Sequence, residues 1–149
     1  MAPDSNGAGA LPVPRFVREV DVRFHDLDAM GHAHHTLPLI YLEEARAAYW
    51  REVGGRESLD GIDYVMAEVA VRFHGRIEYP SRLSVGLRVS RIGTKSFEME
   101  FEIRSVDGER KASGRTVQVM YDYENSRAKE MPAELRARIQ AFEGDSLRA

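Results

Sequence analysis

The order of the hydrophobic periods constrains this chain more than any other feature. One alternating segment comes first, one helix-period segment follows, and four long strand-like segments come after it. Phe16, Val20, Val22 and Phe24 fall on one face and Glu19, Asp21 and Arg23 on the other, the period of a half-buried strand. Leu37, Ile40, Tyr41, Ala45, Ala48 and Tyr49 then recur at three- and four-residue spacing, which predicts an amphipathic helix of about four turns. Thr36 is placed to cap it, Pro38 sits in the first turn where a missing N–H costs nothing, and Gly54-Gly55 supplies a left-handed stop. Strands are predicted over Tyr64 to His74, Leu83 to Ile92, Ser96 to Ser105 and Ala112 to Tyr123, and a short terminal helix over Pro132 to Phe142. The breaks at Tyr79-Pro80-Ser81, Gly93-Thr94-Lys95 and Asp107-Gly108 carry turn chemistry, the last of them a hairpin signal, so the sheet should be mainly antiparallel. The class is α+β, with a five-stranded sheet and one long helix. A single helix covers one face of such a sheet, so a homodimer, or a dimer of dimers, is expected to cover what remains.

A chain of 149 residues fits one domain, expected over residues 15–144, with a loose Gly/Ala/Pro/Ser-rich tail at 1–14. A formal charge of -3 gives no field that would gather nucleic acid or an anionic membrane, so neither is expected as a partner. The absence of cysteine excludes disulfides, thiolate nucleophiles and Cys-based metal sites. No apolar run approaches the roughly 20 residues that cross a bilayer, and the N-terminus lacks a signal-peptide pattern, so a cytoplasmic location is expected.

Reactive side chains concentrate in His25-Asp26-Leu27-Asp28-Ala29-Met30-Gly31-His32-Ala33-His34-His35, between the first strand and the helix. A carboxylate delivered beside a helix N-terminus joins a nucleophile or base to backbone N–H groups that can hold a developing oxyanion, a pairing suited to acyl transfer. On spacing alone, a solvated turn is the commoner reading of a loop rich in Asp and His. Four histidines and two aspartates also raise a metal site, but an open loop fixes no ligand geometry, and neither metal nor cofactor is expected. Asp26 is assigned to holding the loop, and Tyr41, Tyr49 and Trp50 to the core or an interface.

The run Asp26-Leu27-Asp28-Ala29-Met30-Gly31-His32, followed by Tyr41-Leu42-Glu43-Glu44-Ala45-Arg46, resembles the signature of the 4-hydroxybenzoyl-CoA thioesterase family of hotdog proteins. The resemblance continues through Ile92-Gly93-Thr94-Lys95-Ser96-Phe97, Gly114-Arg115-Thr116 and Met131-Pro132 with Leu135, covering Val17 to Phe142 in order. It implies a hotdog fold, in which the sheet wraps around the long helix, and hydrolysis of an acyl-CoA or of an acyl group on carrier protein. Asp28 would be the catalytic carboxylate, as nucleophile or as base for water, and the His35 amide would hold the thioester oxygen. Gly31 and His34 would lie at the thioester end, while Arg91, Gly93, Lys95 and Ser96 would meet the CoA end, with sites formed between subunits. Glu44 is the fallback, since another hotdog branch uses a helix carboxylate. The segment departs from the family at His34, His35 and Pro38, where Asn and an aromatic residue are common, and at Ser81-Arg82, where Gly-Asp is common. The first departure motivates one alternative, a non-catalytic acyl-CoA or carrier-protein binding module; a hotdog enoyl-CoA hydratase or dehydratase is a second, since it would need an Asp and His pair to polarise water and Asp28 and His32 are only four apart.

Overall fold

The computed structural model describes residues 14–58 and 61–148, so all of the expected tail but Pro14 lies outside the described residues. The elements run β1 (Phe16–Asp21), α1 (Leu37–Glu52), β2 (Tyr64–Phe73), β3 (Arg82–Ile92), β4 (Ser96–Ser105), β5 (Arg110–Asp122), β6 (Arg127–Ala128) and α2 (Ala133–Glu143). The sheet order is β1-β3-β4-β5-β2, with β6 beside β5, and every pair is antiparallel. The periodicity anticipated all but the two-residue β6.

Alternation decides which face of the sheet is dry. Leu83, Val85, Leu87 and Val89 on β3 and Phe97, Met99, Phe101 and Ile103 on β4 are buried together on one face. Across that face lies α1, burying Leu37, Pro38, Tyr41, Leu42, Ala45, Ala48, Tyr49 and Trp50. Trp50 stacks on Phe97 with centroids 5.2 Å apart and donates its indole N–H to the Gly61 carbonyl at 3.1 Å. Buried aromatic pairs of this kind add about 1 kcal/mol beyond their area. Gly55, at φ +72°, ends the helix and lets the Arg56 amide reach back to the Trp50 carbonyl at 3.1 Å.

On β3 and β4 the opposite face is charged and needs no apolar cover. Arg88 pairs with Glu100 at 2.9 Å, and Arg115 of β5 with Glu98 at 3.0 Å, as cross-strand neighbours do. The uncovered apolar surface lies at the β2 edge instead. There Met66, Val69 and Phe73 share the face of the buried Gln118, Thr116 and Ala112, yet remain 37%, 39% and 54% exposed.

Three local expectations are corrected. Phe24 is 74% exposed, because β1 ends at Asp21 and Phe24 opens a 3-10 turn, where it meets Tyr79 edge-on. Ile40 points outward at 46% exposure, while Leu42 and Trp50 complete the buried stripe. Thr36 occupies the N-cap position but makes no cap; its hydroxyl bonds His34 Nδ1 at 2.9 Å.

Beyond the start of β1 the edge of β3 is open, and α2 closes it with a buried carboxylate. Glu143 accepts from the Val89 amide at 2.8 Å and from the Tyr49 hydroxyl at 2.6 Å. Burial and then the Glu143 charge push the Tyr49 phenol well above its ordinary range. The following residues stay on that edge, where the Arg148 amide donates to the Ser90 carbonyl at 2.8 Å.

Gly114 marks the tightest approach in the sheet, since a Cβ there would lie 1.9 Å from the Ala70 carbonyl oxygen on β2. Gly114→Ala should therefore force β5 and β2 apart and cost about 3 kcal/mol, the upper part of the range for overpacking. Equilibrium denaturant unfolding checks this.

Candidate active site

The loop between β1 and α1 is built on a buried carboxylate. Asp26 is 2% exposed, and its Oδ2 accepts from the Arg23 amide at 2.9 Å and from the Tyr41 hydroxyl at 2.7 Å. Its Oδ1 accepts from Arg23 Nε at 3.2 Å and Nη2 at 3.1 Å. Burial alone would raise this carboxyl, but the Arg23 amide, the Tyr41 hydroxyl and the Arg23 guanidinium outweigh it and hold the group below the ordinary 3.8. Burial and the Asp26 hydrogen bond in turn push the Tyr41 phenol well above its usual range.

From that anchor the backbone makes a narrow excursion. The His34 amide donates to the Asp26 carbonyl at 3.0 Å, Leu27 and Ala33 form an isolated antiparallel bridge, and the Asp28 amide donates to the His32 carbonyl at 3.1 Å. Gly31, at φ +82°, turns the tip and donates to the Asp28 carbonyl at 3.0 Å. From outside, the Ala33 amide bonds the Ile77 carbonyl at 2.8 Å, tying the loop to the segment before β3.

Asp28 stands half-exposed on this excursion. Its Oδ1 accepts from the Met30 amide at 2.9 Å, and its other oxygen has no donor among the described residues. The carboxylate is held in one orientation and keeps free lone pairs for a reactant. At the start of α1, the His34 carbonyl takes the Leu37 amide at 2.9 Å, while the His35 amide has no acceptor among the described residues. The His34 and His35 rings lie tilted together with centroids 4.0 Å apart. Asp28, Gly31, His34 and His35 therefore belong to one structural unit. Glu43 and Glu44 lie exposed on α1 without partners among the described residues.

The other four candidates lie elsewhere. Val22 bonds the Ser81 carbonyl at 2.9 Å, so the Asp28 loop follows the end of β1 beside the start of β3, whereas Arg91, Gly93, Lys95 and Ser96 lie at its far end. Between those two ends β3 runs 11 residues, a strand length of about 33 Å at a rise of ~3.3 Å per residue. At that far end the Gly93 amide donates to Ser96 at 2.7 Å, and the Gly93 carbonyl accepts from Arg136 Nη2 at 2.7 Å. Lys95 is exposed, and Arg91, whose guanidinium has no partner among the described residues, borders an open depression of about 390 Å³ with Glu98, Arg115 and Arg148. Among the described residues no three His, Asp or Glu side chains are grouped to hold a metal ion, and no helix is long and apolar enough to cross a membrane.

Residues 22–139, from the end of β1 into α2, match the family model described as the thioesterase-like superfamily. The chain belongs to that superfamily. Solved thioesterases share the architecture, an antiparallel sheet with one long helix and one shorter one in the hotdog-like manner. The Thermus thermophilus thioesterase, solved in complex with coenzyme A and Zn, is 34% identical with a TM-score of 0.76, over 86% of this chain and 93% of that one. A thioesterase-superfamily protein from Jannaschia is 26% identical with a TM-score of 0.76, over 89% and 85%. At 20% identity a 1,4-dihydroxy-2-naphthoyl-CoA thioesterase from Synechocystis shares the fold, with a TM-score of 0.73 over 83% and 94%. No curated protein matches the chain.

Two contacts of this loop are not evident from the sequence pattern. Tyr41 was placed with the core, and it is buried, but its hydroxyl serves the loop; Arg23 was read only as an outward strand residue. Because the folded Asp26 carboxyl lies below its ordinary value, its stabilisation is present above pH ~4 and is lost as the pH falls through the lower folded value. Asp26→Asn should thus cost about 2 kcal/mol at neutral pH, the scale of a hydrogen bond to a charged group, with the difference from wild type shrinking below pH ~4. Denaturant unfolding from pH 3 to 7 reads it.

Proposed function

We propose that the chain is an acyl-CoA thioesterase in which Asp28 drives cleavage and the His35 amide stabilises the oxyanion. The observation that carries this is an oriented, half-exposed Asp28 carboxylate and an unclaimed amide just before α1, both in one hydrogen-bonded loop of a thioesterase-superfamily chain. The Asp28 carboxylate attacks the thioester carbonyl carbon to give a mixed anhydride that water then opens, or takes a proton from a water that attacks the same carbon. In either route the carbonyl oxygen gains negative charge, the C–S bond breaks, and CoA leaves as its thiol. A backbone N–H at a helix start is well placed for that charge because it is fixed before the reaction and adds the helix dipole. Gly31 leaves the tip narrow, and His34, bonded to Thr36, borders the thioester.

The chain acts as a homodimer in this reading. The Asp28 loop and the Gly93 turn lie by opposite ends of β3, a strand about 33 Å long, which favours a site whose two halves come from different chains. A two-fold copy brings the Gly93 turn of one subunit to the Asp28 loop of the other. Lys95 and Arg91 then meet CoA phosphates, with Gly93 and Ser96 shaping the turn. The free β2 edge, with Met66, Val69 and Phe73 uncovered, is the surface such a copy would bury. The coenzyme A complex of the Thermus relative supports CoA over carrier protein as the carrier.

Asp28→Asn should lower kcat on an acyl-CoA by about 10²- to 10⁴-fold with KM within a few-fold, as for a group acting in the transition state. Undiminished turnover by the variant would refute the role. Sedimentation equilibrium should give twice the chain mass, and Val69→Lys should shift it toward the monomer; a monomeric wild-type protein would exclude the shared site.

A further inference from the structure

We propose that Tyr41 and Asp26 are positioning residues for the Asp28 chemistry, acting as a buried clamp that ties the loop to the second turn of α1; this rests on the thioesterase reading above. The segments that carry the two proposed reacting groups are joined at their base by the hydrogen bond from the His34 amide to the Asp26 carbonyl at 3.0 Å. Asp28 lies two residues beyond Asp26, and His35 is the residue after His34. What fixes that bond in space is the Asp26 side chain, 2% exposed and held by Tyr41 at 2.7 Å from the helix and by Arg23 from the end of β1.

The tie is directional. Tyr41 is itself 2% exposed, so its ring is set by packing and its hydroxyl offers Asp26 one fixed donor position. His35 lies in the turn two residues before that helix begins at Leu37, so the clamp bears on the placement of carboxylate and amide together and not merely on the position of the loop. An apolar contact would hold the loop down while leaving it free to slide along the helix; a short bond to a buried carboxylate does not. The clamp touches no reactant, so its loss should be felt in kcat far more than in KM. Misplacement by about 1 Å is enough to lower a rate about 100-fold.

Tyr41→Phe keeps the ring and removes only the donor. At a temperature well below its unfolding midpoint, this variant should hydrolyse acyl-CoA with kcat lowered about 10- to 100-fold and KM within about twofold. Asp26→Asn should show the same split, and the double variant should lose little more than either single one, since both remove one linkage. Arg23→Ala, at a side chain that is 65% exposed, leaves the core intact and removes the guanidinium half of the grip, with a smaller loss of kcat; it serves if either buried variant fails to fold. Wild-type kcat in folded Tyr41→Phe, or additive losses in the double variant, would overturn the clamp and leave Asp28 in place. Turnover retained by Asp28→Asn would instead remove the thioesterase reading, and the two failures are told apart by which variant keeps its rate.

Discussion

The fold depends first on the burial of one helix stripe against one sheet face. Tyr41, Leu42, Ala45, Tyr49 and Trp50 lie on α1 against the apolar rows of β3 and β4, and all five are nearly inaccessible to solvent. That packing sets where the helix begins, and the start of the helix is where the loop from β1 must arrive. Burial alone is non-directional, however, and fixes neither the rotation of the helix nor the path of the loop. Two buried carboxylates supply the direction. Asp26 binds Tyr41 near the start of α1, and Glu143 binds Tyr49 two turns on, so the same apolar stripe carries two polar ties to neighbouring elements. Removing either partner would leave the other buried without its donor or acceptor, which is why such pairs specify an arrangement more sharply than the hydrocarbon around them.

Much of the architecture was legible because the sequence alternates cleanly. Phe97, Met99, Phe101 and Ile103 inward, with Glu98, Glu100 and Glu102 outward, identify β4 and its faces with no further information. The single helix was equally plain from its stripe. What was hidden depended on where elements stop and on what crosses between them. Phe24 continues the alternation of β1, yet the strand ends three residues earlier, because a 3-10 turn answers to Asp26 and its contacts with Arg23 rather than to the period. Ile40 fits a helix stripe as well as Leu42 does, and only the placement of the sheet decides between them. Thr36 has the residue type of a cap, but His34 competes for its hydroxyl.

The candidate site was legible in part for the same reason. The concentration of Asp and His before the helix marked the loop, and the structure brings Asp28, Gly31, His34 and His35 into it. That Arg91, Gly93, Lys95 and Ser96 lie by the other end of β3 follows from strand length and antiparallel order, both present in the sequence. The partnership of Asp26 with Tyr41 was not. It joins residues 15 apart through a helix rotation that no local pattern encodes. Glu143 was hidden more deeply, since a lone acid at the end of a short amphipathic helix reads as solvent-facing until the open edge of β3 is seen beside it.

The proposed hydrolysis requires a carboxylate presented for a reaction rather than merely folded into a turn. The most direct test is release of free CoA thiol by the wild-type protein across a panel of aromatic and aliphatic acyl-CoAs. Thiol should appear well above the uncatalysed rate with at least one acyl class, and at one equivalent per thioester consumed. Saturable binding of the panel with no thiol released from any member would contradict it.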